Sequence, residues 1–232
     1  MIARAPACDG RNIRDGRSRQ RRRLGGALLA AAGLALWPVP GALAQALRRG
    51  DNYREIKRQP TLVGDRIEVI DFFWYGCPYC NQLLPHLEKW RKSLPEDVVF
   101  RHVPAVLRES WAPHARIFYT LEALGELDRL HPEVYRGYHQ EELYMSKADV
   151  MLDWARRHGV DRARWTAAYD SEAVERKVVT ARLTTQVYGV SATPSLVIDG
   201  RYLTSSGMTD SVAEVVVVAD QLVRLARDQK KS

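Results

Sequence analysis

The chain predicts an α/β fold in which a block of helices interrupts a set of strands. Two observations carry that reading. Runs rich in Val, Ile and Phe occur at 67–75 and 98–106, and strand-like residues return at 195–204. Between the second and third of these, apolar residues from Ala112 to Tyr188 recur at helical spacing.

The first 44 residues read as a leader. Arg17 to Arg23 is strongly basic, Leu24 to Trp37 is apolar, and the GALA stretch ending at Ala44 finishes in small residues. That is the order of a cleaved secretory signal peptide. The apolar run falls short of the roughly 20 residues that a membrane span needs. Cleavage is expected after Ala44, with Ala46 the next choice. The leader holds eight arginines against Asp9 and Asp15, six of the seven net positive charges of the chain. The remaining 27 basic and 26 acidic residues nearly balance. The high isoelectric point is therefore no footprint for nucleic acid or a membrane surface. Cys8 leaves with the leader, so the exported chain holds Cys77 and Cys80 alone, in a compartment that permits disulfides.

The 188 residues that follow suffice for one core of ordinary size. After the strand at 67–75, Leu83, Leu87, Trp90 and Leu94 mark one face of a helix from about Pro78 to Ser93. Pro78 suits its first turn, and Pro85 is expected to kink it. In the helical block, one stripe is Ile117, Leu121 and Leu124, and a second is Val150, Met151, Trp154 and Ala155. A third runs through Val174, Val178, Ala181, Thr185 and Tyr188. Gly125, the RHGVD stretch at 157–161 and YGVSATP at 188–194 supply the stops. SLVI at 195–198 and RYLT at 201–204, joined through Asp199-Gly200, read as a β-hairpin. Val212, Val215, Ala219, Leu222 and Ala226 close the chain with an amphipathic helix.

Cys77 and Cys80 stand where the first strand gives way to the first helix. A c-type haem site needs His directly after the second cysteine, and Asn81 stands there. A tetrahedral zinc site needs two further ligands, but there is no second C-x-x-C, and His86, His102 and His114 are scattered. A structural disulfide closing so short a loop constrains little unfolded-state entropy. A working dithiol fits best. At the helix entrance, free N–H groups and the helix dipole favour a Cys77 thiolate, while Cys80 lies one turn in as the resolving thiol.

The stretch DFFWYGCPYC, followed after the helical block by GVSATPSLVIDGRY and by Ser206-Gly207-Met208, resembles the thioredoxin superfamily, and within it the bacterial periplasmic thiol:disulfide oxidoreductases of the DsbA type. The resemblance covers residues 45–232. It implies a thioredoxin fold with an inserted helical domain between the second and third core strands: 45–108 the first part, 109–187 the insertion and 188–232 the second part. Cys77 resembles the family's exposed nucleophile, Cys80 its buried partner, and Thr193-Pro194 its cis-proline loop beside the dithiol. Asp71, six residues before Cys77, matches the family's buried acid. Flanked by Ile70, Phe72 and Phe73, it is expected to be buried and able to relay the Cys80 proton. Tyr75 and Tyr79 are expected on the surface as an apolar seat for unfolded chains. Where the family's strongest oxidants carry histidine this chain has Tyr79, which implies weaker thiolate stabilisation, and Leu84 stands where an acidic residue is common.

The expected function is therefore a periplasmic thiol oxidase that donates a Cys77–Cys80 disulfide to reduced, newly exported proteins. By resemblance a membrane quinone reductase of the DsbB type reoxidises it. No prosthetic group, metal or nucleic acid is implied, and a monomer is expected. Two alternatives share the motif: a disulfide reductase or isomerase, and a copper-binding dithiol module.

Overall fold

A computed structural model describes residues 46–231 of the chain. The expected leader over 1–44, with Cys8 and the cleavage point after Ala44, lies outside the described residues. The first core strand, β2 (Ile67–Phe73), is buried along its whole length. It is flanked by β3 (Val98–Pro104), parallel to it, and by β4 (Ser195–Ile198), antiparallel. β4 pairs with β5 (Tyr202–Ser205), and a two-residue strand β1 (Arg54–Glu55) adds to the outer side of β5, giving the order β1-β5-β4-β2-β3. A strand covered on both faces has no solvent face, which is why β2 is mostly apolar; its two acids, Glu68 and Asp71, are buried with the rest.

Alternate residues of β2 serve two cores. Ile67 and Val69 pack with Leu83, Leu87 and Trp90 of α1 (Pro78–Arg91) and with Val215, Val218, Ala219 and Leu222 of α7 (Val212–Lys231). Ile70 and Phe72 face the other side and meet Ala181 of α6 (Glu172–Val187), Tyr188 and Val190. Each fully buried Leu or Val contributes on the order of 1.5–3 kcal/mol. The hairpin turn places Asp199 at φ 49° and Gly200 at φ 64°, as a type I′ turn demands. A side chain at Gly200 would also strike the Gln59 backbone carbonyl.

The helical block holds α2 (Ala112–Leu124), α3 (Leu127–His139), α4 (Ala148–Arg157), α5 (Arg162–Tyr169) and α6, after a 3₁₀ turn at Glu109–Trp111. The three expected stripes lie on α2, α4 and α6. The periodicity passed over α3 and α5, and the two-residue β1 was not anticipated. α5 buries only Trp165, and α3 fills its inner face with His131 and Tyr135 as well as Leu130 and Val134, so an aliphatic count misses both. Helix α1 continues through Pro85 to Arg91. No helix among the described residues is long and apolar enough to cross a membrane.

Candidate active site

The site begins where β2 ends. Beyond Phe73 the chain turns, the Cys77 N–H donates to the Trp74 carbonyl at 3.0 Å, and the Cys77 carbonyl accepts from Asn81 at 3.1 Å as the first bond of α1. Cys77 is thus the N-cap, with extended backbone, and Pro78 occupies the first turn, where its missing N–H is not needed. No side chain caps this end and no acid lies in the first turn. The free N–H groups are left to whatever Cys77 presents.

Both cysteines are free thiols, and their surroundings push them apart. The Cys77 pKa is lowered from 9.0 to about 6. The Cys80 thiol donating to the Cys77 sulfur is the main cause. Burial opposes it, and the Thr193 side chain and the backbone N–H groups of Cys80 and Tyr79 reinforce it. The helix end therefore contributes, as the sequence suggested, but second to the partner thiol. The Cys80 thiol is pushed well up by burial and by the negative charges of the Cys77 thiolate and Asp71. Two thiols one helical turn apart are thus a ready leaving group and a reluctant one.

Accessibility does not separate them. Cys77 is 6% exposed and Cys80 3%, which corrects the expectation of an exposed nucleophile. The cause is the segment before β4. The Thr193-Pro194 bond is cis, and the Thr193 carbonyl lies 3.2 Å from Cys77 Sγ. That carbonyl only accepts, so it favours the protonated thiol and works against the donors around it.

Asp71 is buried as expected, on the α1 side of β2. Its Oδ2 lies 2.8 Å from His102 Nδ1, while Oδ1 is buried without a partner. Asp71 and His102 are register partners across β2 and β3. Tyr79 projects from α1 and is 54% exposed. Tyr75 does not join it at the surface. It is fully buried, its hydroxyl is 2.8 Å from His131 Nδ1, and its carbonyl lies 2.8 Å from His139 Nε2. The physical reason is the core of the helical block, which takes in Phe73, Tyr75, Cys80, Ile117, Leu130 and Val134 together. A tyrosine inside it needs a polar partner for its hydroxyl, and α3 supplies one. The next aromatic upstream, Trp74, stacks on Trp111 with centroids 4.0 Å apart and planes 1° from parallel. Local sequence signals missed His102, His131, His139 and the Trp pair, because each is brought to Asp71, Tyr75 or its own partner ring by strand register or helix docking. Among the described residues no group of three or more His, Cys, Asp or Glu is placed to hold a metal ion.

The chain matches the model of the DSBA-like thioredoxin domain over residues 110–216. It is 33% identical over 205 residues to the thiol:disulfide interchange protein DsbA of Azotobacter vinelandii, covering 87% of this chain and 96% of that protein. The protein of the same name from Pseudomonas aeruginosa is 31% identical over 207 residues, 88% of this chain and 98% of its own length. The crystal structure of Pseudomonas aeruginosa DsbA superposes with a TM-score of 0.76 at 30% identity, covering 79% of this chain and 96% of the other.

Proposed function

The chain belongs to the DsbA family of thioredoxin-fold thiol:disulfide oxidoreductases, and we propose on that premise that the pair Cys77 and Cys80 is its redox centre and gives its disulfide to reduced, exported proteins. One observation carries the assignment of roles: Cys77 is the thiolate of low pKa, about 6, and Cys80 the thiol held protonated. A client thiolate attacks the Cys77 sulfur of the disulfide. The client–Cys77 bond forms, the Cys77–Cys80 bond breaks, and Cys80 leaves and takes up a proton. A second client thiolate attacks the client sulfur of the mixed disulfide and expels Cys77, which departs as a stable thiolate. The client loses two electrons and gains a disulfide, and the enzyme is left with one thiol and one thiolate.

The edge formed by Thr193 and Pro194 beside Cys77 and the exposed ring of Tyr79 are the client-facing surface in this reading, and Asp71 is the proton acceptor beneath Cys80. The chain works in the periplasm after removal of residues 1–44, and a membrane quinone reductase of the DsbB type restores its disulfide. What supports the location is the leader-like sequence and the family. The 109–187 segment is the helical insertion, and 45–108 with 188–232 forms the thioredoxin-like part.

The test mixes oxidised chain with a reduced, unfolded protein of two cysteines. Client disulfide should appear in step with loss of the enzyme's own disulfide, one for one, and Cys77→Ser should abolish the exchange. Client oxidation without a matching loss of enzyme disulfide would refute the assignment.

A further inference from the structure

Beyond Asp71 lies a buried polar cluster that the exchange steps leave unused. His102 is held between two carboxylates from different elements. Its Nδ1 is 2.8 Å from Asp71 Oδ2, and its Nε2 is 3.7 Å from Glu88 Oε1 on α1. At 3.7 Å the second contact is an ion pair or a one-water bridge rather than a direct hydrogen bond. Side-chain exposure rises outward along the series, 4% for Asp71, 10% for His102 and 26% for Glu88. The inner end reaches the dithiol, since the Asp71 charge bears on Cys80 and Asp71 Oδ1 has no partner. At the outer end a cavity of about 200 Å³ is lined by Glu88, His102, Phe118, Glu122, Asp128 and His131. Asp128 is 93% exposed, so the lining extends to solvent. A space of that size holds several waters at ~30 Å³ each.

The other charges facing His102 are already engaged. From α1, Arg91 pairs with Glu88 at 2.9 Å and with Asp128 of α3 at 3.7 Å. From β3, Arg101 is bound to the buried Glu68 on the opposite face of the sheet. From α2, Glu122 pairs with Lys177. From α3, the His131 ring stands 4.8 Å from that of His102, and burial keeps it neutral. Burial also opposes a charge on His102, but Asp71 and Glu88 more than offset it and raise its pKa above the ordinary histidine value. His102 is thus the one ring here with a carboxylate on each nitrogen.

We propose that His102 is a positioning residue for the exchange: it orients Asp71 beneath Cys80 and, as Asp71 takes the Cys80 proton, gives up one of its own toward Glu88 at the solvent edge. The inference rests on Cys77 and Cys80 being the redox centre. Reaction of the reduced chain with oxidised glutathione isolates the step. First the Cys77 thiolate attacks glutathione disulfide, forms the mixed disulfide and releases one glutathione thiolate, with no proton needed from Cys80. Then Cys80 gives its proton to Asp71 and attacks Cys77 Sγ. The Cys77–Cys80 bond forms and the second glutathione thiolate leaves. Asp71 keeps that proton, and His102, whose Nδ1–H stays in its bond to Asp71 Oδ2, releases its Nε2 proton toward Glu88 and water as the neighbouring negative charge is lost. Two electrons pass to glutathione disulfide, and one proton reaches solvent.

The test follows both steps by quenched-flow trapping between pH 5 and 9. In His102→Phe the second step should slow by about a hundredfold at pH 7, the low end of what positioned proton transfer supplies. Its rate should then climb steeply with pH as hydroxide replaces the relay, while the first step stays within a few-fold of wild type. Glu88→Gln, at a partly exposed site that spares the core, should slow the second step on the order of tenfold at unchanged melting temperature. Added imidazole should restore the second step in His102→Gly and leave wild type untouched. Second-step rates and pH profiles equal to wild type in both His102→Phe and Glu88→Gln, with the first step intact, would overturn the relay. Failure of wild type to make the first step would instead overturn the redox-centre reading beneath it.

Discussion

The hydroxyl of Tyr75 and Nδ1 of His131 share a hydrogen bond of 2.8 Å inside the core that the dithiol shares with the helical block. Burial raises the Tyr75 pKa and lowers that of His131, so both groups are neutral and a single proton bridges them. With the Tyr75 carbonyl also held by His139, helix α3 grips the residue two before Cys77 at both ends.

Tyr75→Phe removes that hydroxyl and leaves the buried His131 Nδ1 unpaired. The expected cost is about 1–3 kcal/mol, read as a lower denaturant midpoint in both redox forms. Because neither charge nor donor at Cys77 changes, the reduction potential should stay within about 10 mV, a third of the shift that a tenfold change in the couple produces. A potential that moves with the stability would mean that α3 acts on the sulfurs through Tyr75.

Cys80→Ser should accumulate mixed disulfides with clients offered as their disulfides, the Cys77 thiolate attacking the client disulfide and releasing one client thiolate, whereas Cys77→Ser should not trap any through Cys80. Comparing Cys80→Ser with Cys80→Ala adds a test of the thiol-to-sulfur hydrogen bond, the main cause of the low Cys77 pKa. The serine hydroxyl keeps a donor and the alanine has none, so the Cys77 pKa should rise further in Cys80→Ala. Thiolate absorbance at 240 nm follows it. Equal pKa values in the two variants would transfer the credit to the helix end.

The dithiol and its flanking strand and helix were legible because each rests on a local pattern: an apolar run, a proline at a helix start, cysteines one turn apart. The hairpin was legible for the same reason, Asp199-Gly200 being a turn pair with its own chemistry. His102 was not. Its role depends on the parallel register of β2 and β3, which brings it opposite Asp71 across 31 residues of chain, and no local period encodes that. Tyr75 failed differently. Its neighbour in C-x-x-C context suggested a surface ring, but docking of α3 closed over it, and a helix filled with His131, Tyr135 and two aliphatics shows no plain apolar stripe.

The reduction potential should change slope with pH near 6. The Cys77 pKa in the folded reduced chain is depressed, from 9.0 to about 6. A depressed pKa stabilises the reduced form above the unperturbed value, and the gain is lost as pH falls through about 6. At pH 7 about one unit of the shift is realised, roughly 1.4 kcal/mol or about 30 mV toward stronger oxidation. Below pH 6 two protons accompany two electrons, so the potential should fall by about 59 mV per pH unit. Above it Cys77 stays ionised and the slope should halve to about 30 mV. Glutathione or dithiothreitol equilibria from pH 5 to 8 measure this. One uniform slope across the range would mean that Cys77 is an ordinary thiol.

Tyr79→His puts a titratable cation on the exposed side of the first helical turn while leaving the backbone N–H of residue 79 in place as a thiolate donor. It should lower the Cys77 pKa and raise the potential together, because the same thiolate energy enters both quantities. Each unit of pKa lowered while the pKa is below the working pH leaves about 30 mV in a two-electron couple. The ring at this position is more than half exposed, so solvent and salt screen its charge, and both shifts should shrink in step as ionic strength rises from about 0.01 M to 1 M. Tyr79→Phe is the matching control, keeping the ring and removing only the hydroxyl, and it should leave both quantities within error of wild type. Measuring thiolate absorbance and the glutathione equilibrium for the three proteins at two salt concentrations decides the matter. A potential that rises in Tyr79→His with no fall in pKa would place the effect in the disulfide form, and the thiolate would no longer be what sets the oxidising power of this chain.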